Sequence, residues 1–222
     1  MEFIRVDSPE EGVGRLRGEL LESLRAGKGV TWFISGGSNV VIETKIMDQL
    51  WQEASEDTLT NLTVMLVDER YGAVGHADSN WQQLLDAGFN VSGTDPIPAL
   101  CGLGFEDTVS RYSLEVGKTL TNSQVRIAQL GIGDDGHIAG ILPHSLAVFS
   151  GEYVCGYNAG NFRRITLTPK ALAKMTEHYI FAFGEKKRDA IQKLKSENRP
   201  VDDQPMQILK QFQNVYIYTN QL

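Results

Sequence analysis

Short apolar runs alternate with longer mixed stretches along the chain, and the alternation predicts strands joined by helices. Val30-Thr31-Trp32-Phe33-Ile34 is β-branched and aromatic and is bounded by glycines, which suits a central parallel strand better than a helix. Comparable runs occupy Leu62 to Val67 and Val125 to Leu130, with helices expected near Val40 to Glu53, Asn80 to Ala87 and Phe105 to Leu120. Upstream, Ser8-Pro9-Glu10-Glu11 offers an N-cap serine, a proline at the first helical position and a glutamate to close a capping box, so a helix to about Ala26 is expected. Downstream the pattern repeats: strands at Arg164 to Thr168, Tyr179 to Phe183 and Val215 to Tyr218, and helices at Pro169 to Met175, Gly184 to Lys195 and Pro205 to Phe212. Such alternation predicts an α/β fold with a mostly parallel sheet and helices on both faces, built as a single domain over residues 1–222. Gly88 to Gly104, with two prolines and four glycines, is expected to be the longest loop, a lid or a partner surface.

Charge and composition narrow the function. A formal charge of -7 speaks against a nucleic-acid footprint, yet a few local cations would suffice to hold a small phosphate. No apolar run approaches the roughly 20 residues that span a bilayer, and Met1-Glu2-Phe3-Ile4-Arg5 lacks the basic-then-apolar layout of a signal peptide. A cytoplasmic protein without membrane or nucleic-acid partners is the expectation. Cys101 and Cys155 lie far apart and no histidine pair shows ligand spacing, so neither a disulfide framework nor a metal site is suggested.

The densest chemistry lies in Gly131-Ile132-Gly133-Asp134-Asp135-Gly136-His137, directly after the Val125 to Leu130 strand. Loops at the carboxyl ends of strands are where open α/β sheets bind ligands. Asp135 and His137, two positions apart, are expected to face one cavity, the carboxylate fixing the tautomer of an imidazole that serves as general base toward water. Ser35-Gly36-Gly37-Ser38 joins a predicted strand to a predicted helix, where glycine N–H groups and the helix N-terminus favour an anion; it also reads as a plain tight turn. Asp68-Glu69-Arg70 closes another strand, either clamping a polar ligand through Arg70 or forming a local ion-pair knot. Arg163, Arg164 and Lys187 occupy strand and helix starts, where solvated cations are common; Lys187 beside a helix N-terminus would suit a phosphate, but position alone is a weak signal for all three.

Taken in chain order, Ser35-Gly36-Gly37-Ser38, Val67-Asp68-Glu69-Arg70, Asp78-Ser79-Asn80, Gly131-x-Gly133-x-Asp135-Gly136-His137-x-Ala139, Arg164-Ile165-Thr166-Leu167-Thr168 and Gly184-x-x-Lys187 resemble the 6-phosphogluconolactonases. That family shares a superfamily with the glucosamine-6-phosphate deaminases and isomerases. The resemblance implies a modified Rossmann-like fold, hydrolysis of 6-phospho-D-glucono-1,5-lactone to 6-phosphogluconate in the pentose phosphate pathway, and no cofactor. It makes His137 the base, Asp135 its holder and Arg70 the contact to substrate polar groups or the oxyanion. Arg164 and Lys187 would hold the phosphate beside Ser35, Gly36, Gly37 and Ser38, with Asp68, Glu69 and Asn80 completing the binding set. The expected partner is a small sugar-phosphate lactone, and the expected state a monomer or weak homo-oligomer.

The chain departs from that pattern in places. Asn39-Val40 stands where the family commonly has Thr-Pro, and Ile138 is deaminase-like. Deaminases place a catalytic glutamate five residues beyond the histidine; Leu142 stands there and cannot transfer a proton. A deaminase or isomerase is therefore the second reading. The third is a sugar-phosphate sensor, opposed by the lack of a basic recognition helix before Val30.

Overall fold

Every residue of Val30–Ile34 is buried, as a glycine-bounded β-branched run requires when both of its faces are covered. Val30, Trp32 and Ile34 point into one core and Phe33 into another, so the strand separates two apolar layers. The computed structural model describes residues 1–222. In chain order its regular elements are β1 (Glu2–Arg5), α1 (Glu10–Arg25), β2 (Val30–Ile34), α2 (Val40–Glu53), the short α3 (Glu56–Leu59), β3 (Leu62–Leu66) and β4 (Asp68–Arg70). Then come α4 (Asn80–Asp86), β5 (Asp95–Ile97), α5 (Phe105–Asn122), β6 (Val125–Leu130), β7 (Val154–Asn158) and β8 (Arg163–Leu167). The chain closes with α6 (Pro169–Leu172), β9 (Glu177–Phe181), α7 (Arg188–Ser196) and β10 (Val215–Thr219).

Seven parallel strands form the main sheet in the order β1-β10-β9-β6-β2-β3-β5. One face packs on α1, α2 and α4 through Leu16, Leu20, Ile46, Leu50 and Leu84; the other packs on α5 and α7 through Tyr112, Val116, Ile191 and Leu194. The expected α/β fold, mostly parallel and covered on both faces, is the observed one. No helix is long and apolar enough to cross a membrane.

A second sheet was not foreseen. β8, expected among the parallel strands, instead lies in an antiparallel sheet of order β4-β8-β7 whose side chains join the α5 core. β8 pairs with β7 as a hairpin, and Val67 joins that hairpin to the main sheet: its N–H bonds to the Ile34 carbonyl of the main sheet at 2.8 Å, while its own carbonyl accepts from Leu167 at 2.8 Å. One residue thus serves both sheets, and the chain leaves the first for the second immediately after it.

Other boundaries moved for local reasons. The capping box does not form, because Pro9 already holds helical dihedrals (φ −71°, ψ −6°) at the N-cap and leaves Ser8 one position too far out. β9 starts and ends two residues early, its register set by pairing of Glu177 with Ile127. Gly184 to Lys195 opens as a 3-10 turn before α7, and Pro205–Gln211 is 3-10 rather than α-helical. The long loop is pinned at its middle, where β5 pairs with β3 as the edge strand.

Candidate active site

Chain order reverses between β2 and β6, the neighbours at the middle of the main sheet. β2 is followed by β3 on one side, and β6 by β9 on the other. Connections that diverge in this way leave a crevice beyond the carboxyl ends of the two strands. Ser35 to Ser38 after β2 and Gly131 to His137 after β6 both open into it, and the step at Val67 swings β4 and β8 across as a third wall. The result is a cleft of about 190 Å³ whose lining is mostly polar, including Ser35, Asp68, Arg70, Asn80, His137, Arg164 and Lys187.

The loop after β6 is folded tightly on itself. Gly136 donates its N–H to Gly133 O at 3.0 Å, Gly133 donates to His137 O at 2.9 Å, and Ile132 bridges Ile138. Glycine at 133 is what lets two side chains meet over this turn, since a Cβ there would lie 2.0 Å from His137 Nδ1 and 2.6 Å from Asp135 Oδ1. In the space so left, Asp135 Oδ1 accepts from His137 Nδ1 at 2.6 Å and from the His137 N–H at 3.0 Å. Accepting the imidazole bond outweighs partial burial and holds the Asp135 carboxyl at about 2, so it is ionised throughout the neutral range. With Nδ1 donating, Nε2 is left as the acceptor, which is the form a base requires.

The antiparallel register of β4 and β8 places Arg70 directly opposite Arg164. Two guanidinium groups across a strand pair repel unless counter-charge is supplied. Asp68 supplies part of it, Arg164 Nη1 lying 3.3 Å from Asp68 Oδ2, with both side chains largely buried. Burial pushes the Asp68 carboxyl up, and Arg164 and then Arg70 pull it back. Arg70 Nη1 donates to Asp78 O at 3.1 Å, while the Nε atoms of Arg70 and Arg164 are buried without partners. Strand alternation also separates the two adjacent arginines: Arg164 lines the cleft, whereas Arg163 stacks its guanidinium on Tyr71 and Phe105 outside it. Lys187 enters from the turn after β9 and pairs with Asp134 Oδ1 at 2.7 Å. Asn80, at the first turn of α4, donates from Nδ2 to Asp68 O at 2.9 Å.

Two expectations need correction. Glu69 does not reach the cleft. Its buried carboxylate faces the opposite way and accepts from the N–H groups of Arg70, Asn80 and Trp81 and from Ser79 Oγ, between 2.7 and 3.1 Å, so it caps α4 and anchors β4. Adjacent positions on a strand face opposite ways, which sends Asp68 and Arg70 inward and Glu69 outward. Glu69→Gln should therefore lower stability by roughly 1–2 kcal/mol, the cost of leaving buried donors without their acceptor, with activity per folded molecule retained; paired thermal melts and rate assays check this. Ser35 and Gly36, although they line the cleft, spend their N–H groups on Glu43. Only those of Gly37 and Ser38 are left without acceptors in the protein.

Four further residues enter the site architecture unannounced. Glu43 sits in the first turn of α2, a position that reads from sequence as an ordinary acidic partner of the helix dipole. Asn39 bonds Ser35 Oγ, Asp134 pairs Lys187, and Thr166 Oγ1 accepts the Gly140 N–H at 3.0 Å. Leu142, at the position of the deaminase glutamate, packs against the apolar core and does not line the cleft.

Comparison with known proteins follows the same lines. The family model of glucosamine-6-phosphate isomerases/6-phosphogluconolactonase matches residues 9–217. A 6-phosphogluconolactonase of Borreliella burgdorferi is 32% identical over 95 residues, which span 41% of this chain and 40% of that relative's length. A probable 6-phosphogluconolactonase of Dictyostelium discoideum is 26% identical over 198 residues, 84% of this chain and 82% of the relative. Among solved structures, a 6-phosphogluconolactonase from Shewanella baltica superposes with a TM-score of 0.81 at 18% identity, covering 98% of this chain and 96% of its own, a likeness of fold. With nearly its whole length matched by the family model, the chain belongs to the glucosamine-6-phosphate isomerase/6-phosphogluconolactonase family.

Proposed function

We propose that this protein, acting as one domain, hydrolyses 6-phospho-D-glucono-1,5-lactone to 6-phosphogluconate. One observation carries the reading: the Asp135-held imidazole of His137 lines the same small cleft as Arg70, Arg164 and Lys187. A base, donors for a developing oxyanion and an anchor for a phosphorylated tail are what water attack on such a lactone needs. The names of the Borreliella and Dictyostelium relatives support it.

In this mechanism His137 Nε2 takes a proton from water as the water oxygen bonds to the lactone carbonyl carbon. Negative charge gathers on the former carbonyl oxygen, where Arg70 is the available donor. Collapse of the tetrahedral intermediate breaks the bond to the ring oxygen, which receives the proton from the imidazolium, leaving an open-chain acid. Arg164, Lys187 and the Gly37 and Ser38 N–H groups hold the phosphate at the far end. Purified protein should release acid from freshly prepared lactone faster than the spontaneous blank and release no ammonia from glucosamine 6-phosphate. Ammonia without acid would make the protein a deaminase, against which Leu142 argues.

Asp134 offers a milder test. It is half exposed and competes with phosphate for Lys187. Asp134→Asn should lower KM for the lactone by up to about fivefold at low ionic strength, an effect that shrinks as salt screens the pair. Steady-state rates at two salt concentrations read this directly.

A further inference from the structure

Beneath the anion loop lies a carboxylate that the hydrolytic mechanism does not use. Glu43 is fully buried, and no cation touches it. Its Oε1 accepts from Ser35 N–H at 2.8 Å, Ser35 Oγ at 3.2 Å and Gly36 N–H at 3.3 Å, and its Oε2 accepts from Gly36 N–H at 3.2 Å. Asn39 Nδ2 extends the network to Ser35 Oγ at 3.1 Å. Exposed acids at helix starts are ordinary, but an unpaired buried carboxylate is costly unless its surroundings need it. What it does here is visible in the donors it consumes: they belong to the two residues that begin the anion loop.

We propose that Glu43 is a positioning residue for phosphate recognition. By drawing the Ser35 and Gly36 N–H groups inward, it leaves those of Gly37 and Ser38 as the pair presented to the phosphate. The loop has the shape for this. Gly36 and Gly37 both carry positive φ (84° and 59°), and a Cβ on Gly36 would stand 3.1 Å from Asn80. The inference rests on the assignment of the cleft to a phosphorylated substrate. It adds that loop shape is set from below by an acid outside the substrate's reach.

Two opposed influences act on the Glu43 carboxyl. Burial pushes it up, the N–H groups of Ser35 and Gly36 draw it down, and it settles at about 7. The charged group bearing on it from the facing wall is Asp68 on β4, itself paired with Arg164 on β8. At pH 8 the carboxylate is ionised and accepts from both N–H groups; at pH 6 it carries a proton on one oxygen and has lost an acceptor. Glutamine mimics the second condition, since its amide nitrogen in place of Oε2 would meet the Gly36 N–H as donor against donor and leave it only the 3.3 Å contact to Oε1.

Comparison of wild type with Glu43→Gln at pH 8 tests this. The variant should raise KM for the lactone roughly tenfold while kcat changes less than twofold, because the loop holds the tail and not the carbonyl. The ratio of the two KM values should fall toward one at pH 6, and comparison at equal pH cancels the titration of the phosphate itself. Equal or lower KM in the variant, or a loss confined to kcat, overturns the proposal. Should the variant fail to fold, amide NMR of the wild type decides. The Ser35 and Gly36 signals should titrate near pH 7, and inorganic phosphate should shift Gly37 and Ser38 more than Ser35 and Gly36; the reverse order of shifts would overturn it. Wild type inactive toward the lactone would instead remove the functional assignment, while the order of the phosphate-induced shifts at Ser35 to Ser38 would still uphold or overturn the positioning role.

Discussion

Replacing His137 with alanine is expected to cut catalysed lactone hydrolysis by roughly 10²–10⁴-fold, the range removed when a positioned general base is lost. The fall should appear in kcat and in kcat/KM together, with KM nearly unchanged, because in the proposed mechanism the imidazole acts on the attacking water and not on the phosphate anchor. The variant should fold normally. His137 is one-third exposed, and its side chain bonds only Asp135, two residues away in the same turn. A variant retaining more than a tenth of the rate above the spontaneous blank would remove His137 from the mechanism. Rates must be corrected for spontaneous opening, since a lactone hydrolyses without help.

Arg164→Ala should fail in two separable ways. Arg164 and Asp68 form a largely buried pair, their side chains 17% and 8% exposed. Deleting one member leaves the other charge stranded, at a cost of about 3 kcal/mol. For a chain of this length that corresponds to a fall in Tm of roughly 6–12 °C. Its pH dependence has a definite sign. Without the arginine, the Asp68 carboxyl rises further above its unfolded value, so the native state holds a proton that the unfolded chain has released. The destabilisation is therefore smallest at acid pH and grows as pH rises, and melts at pH 5 and pH 8 should diverge in that direction. Asp68→Asn in the same background should recover part of the loss. Independently of stability, the variant should raise KM for the lactone by roughly tenfold to a hundredfold, because the charge-assisted contact proposed between Arg164 and the phosphate would be gone.

The central strands were legible because burial on both faces leaves an unmistakable apolar signature. Trp32, Phe33 and Ile34 could scarcely lie elsewhere, and Gly131 to His137 after Leu130 could scarcely be an ordinary loop. Short or half-exposed elements were not legible. Glu2–Arg5 and Asp95–Ile97 form edge strands whose order comes from a neighbour, β7 and β8 form a local hairpin that went unread, and β4 joins that hairpin where the chain steps off the main sheet at Val67. That step is long-range hydrogen bonding, and no local pattern encodes it. The site divided along the same line. That His137, bonded to Asp135, would share a cleft with Arg70 was readable from type and spacing, and Arg164 was separated from Arg163 as a cleft residue only through the family pattern. Strand parity was needed to see that Glu69 faces away, and three-dimensional proximity to see that Glu43 and Asp134 hold the Ser35–Gly36 N–H groups and Lys187.

A crystal structure with 6-phosphogluconate bound tests the central claim most directly, since this product carries both ends of the reaction. The account predicts its phosphate against Arg164, Lys187 and the N–H groups of Gly37 and Ser38, with its new carboxylate within hydrogen-bond reach of His137 Nε2 and Arg70. A product seated with its carboxylate remote from His137, or with its phosphate outside this cleft, would contradict it.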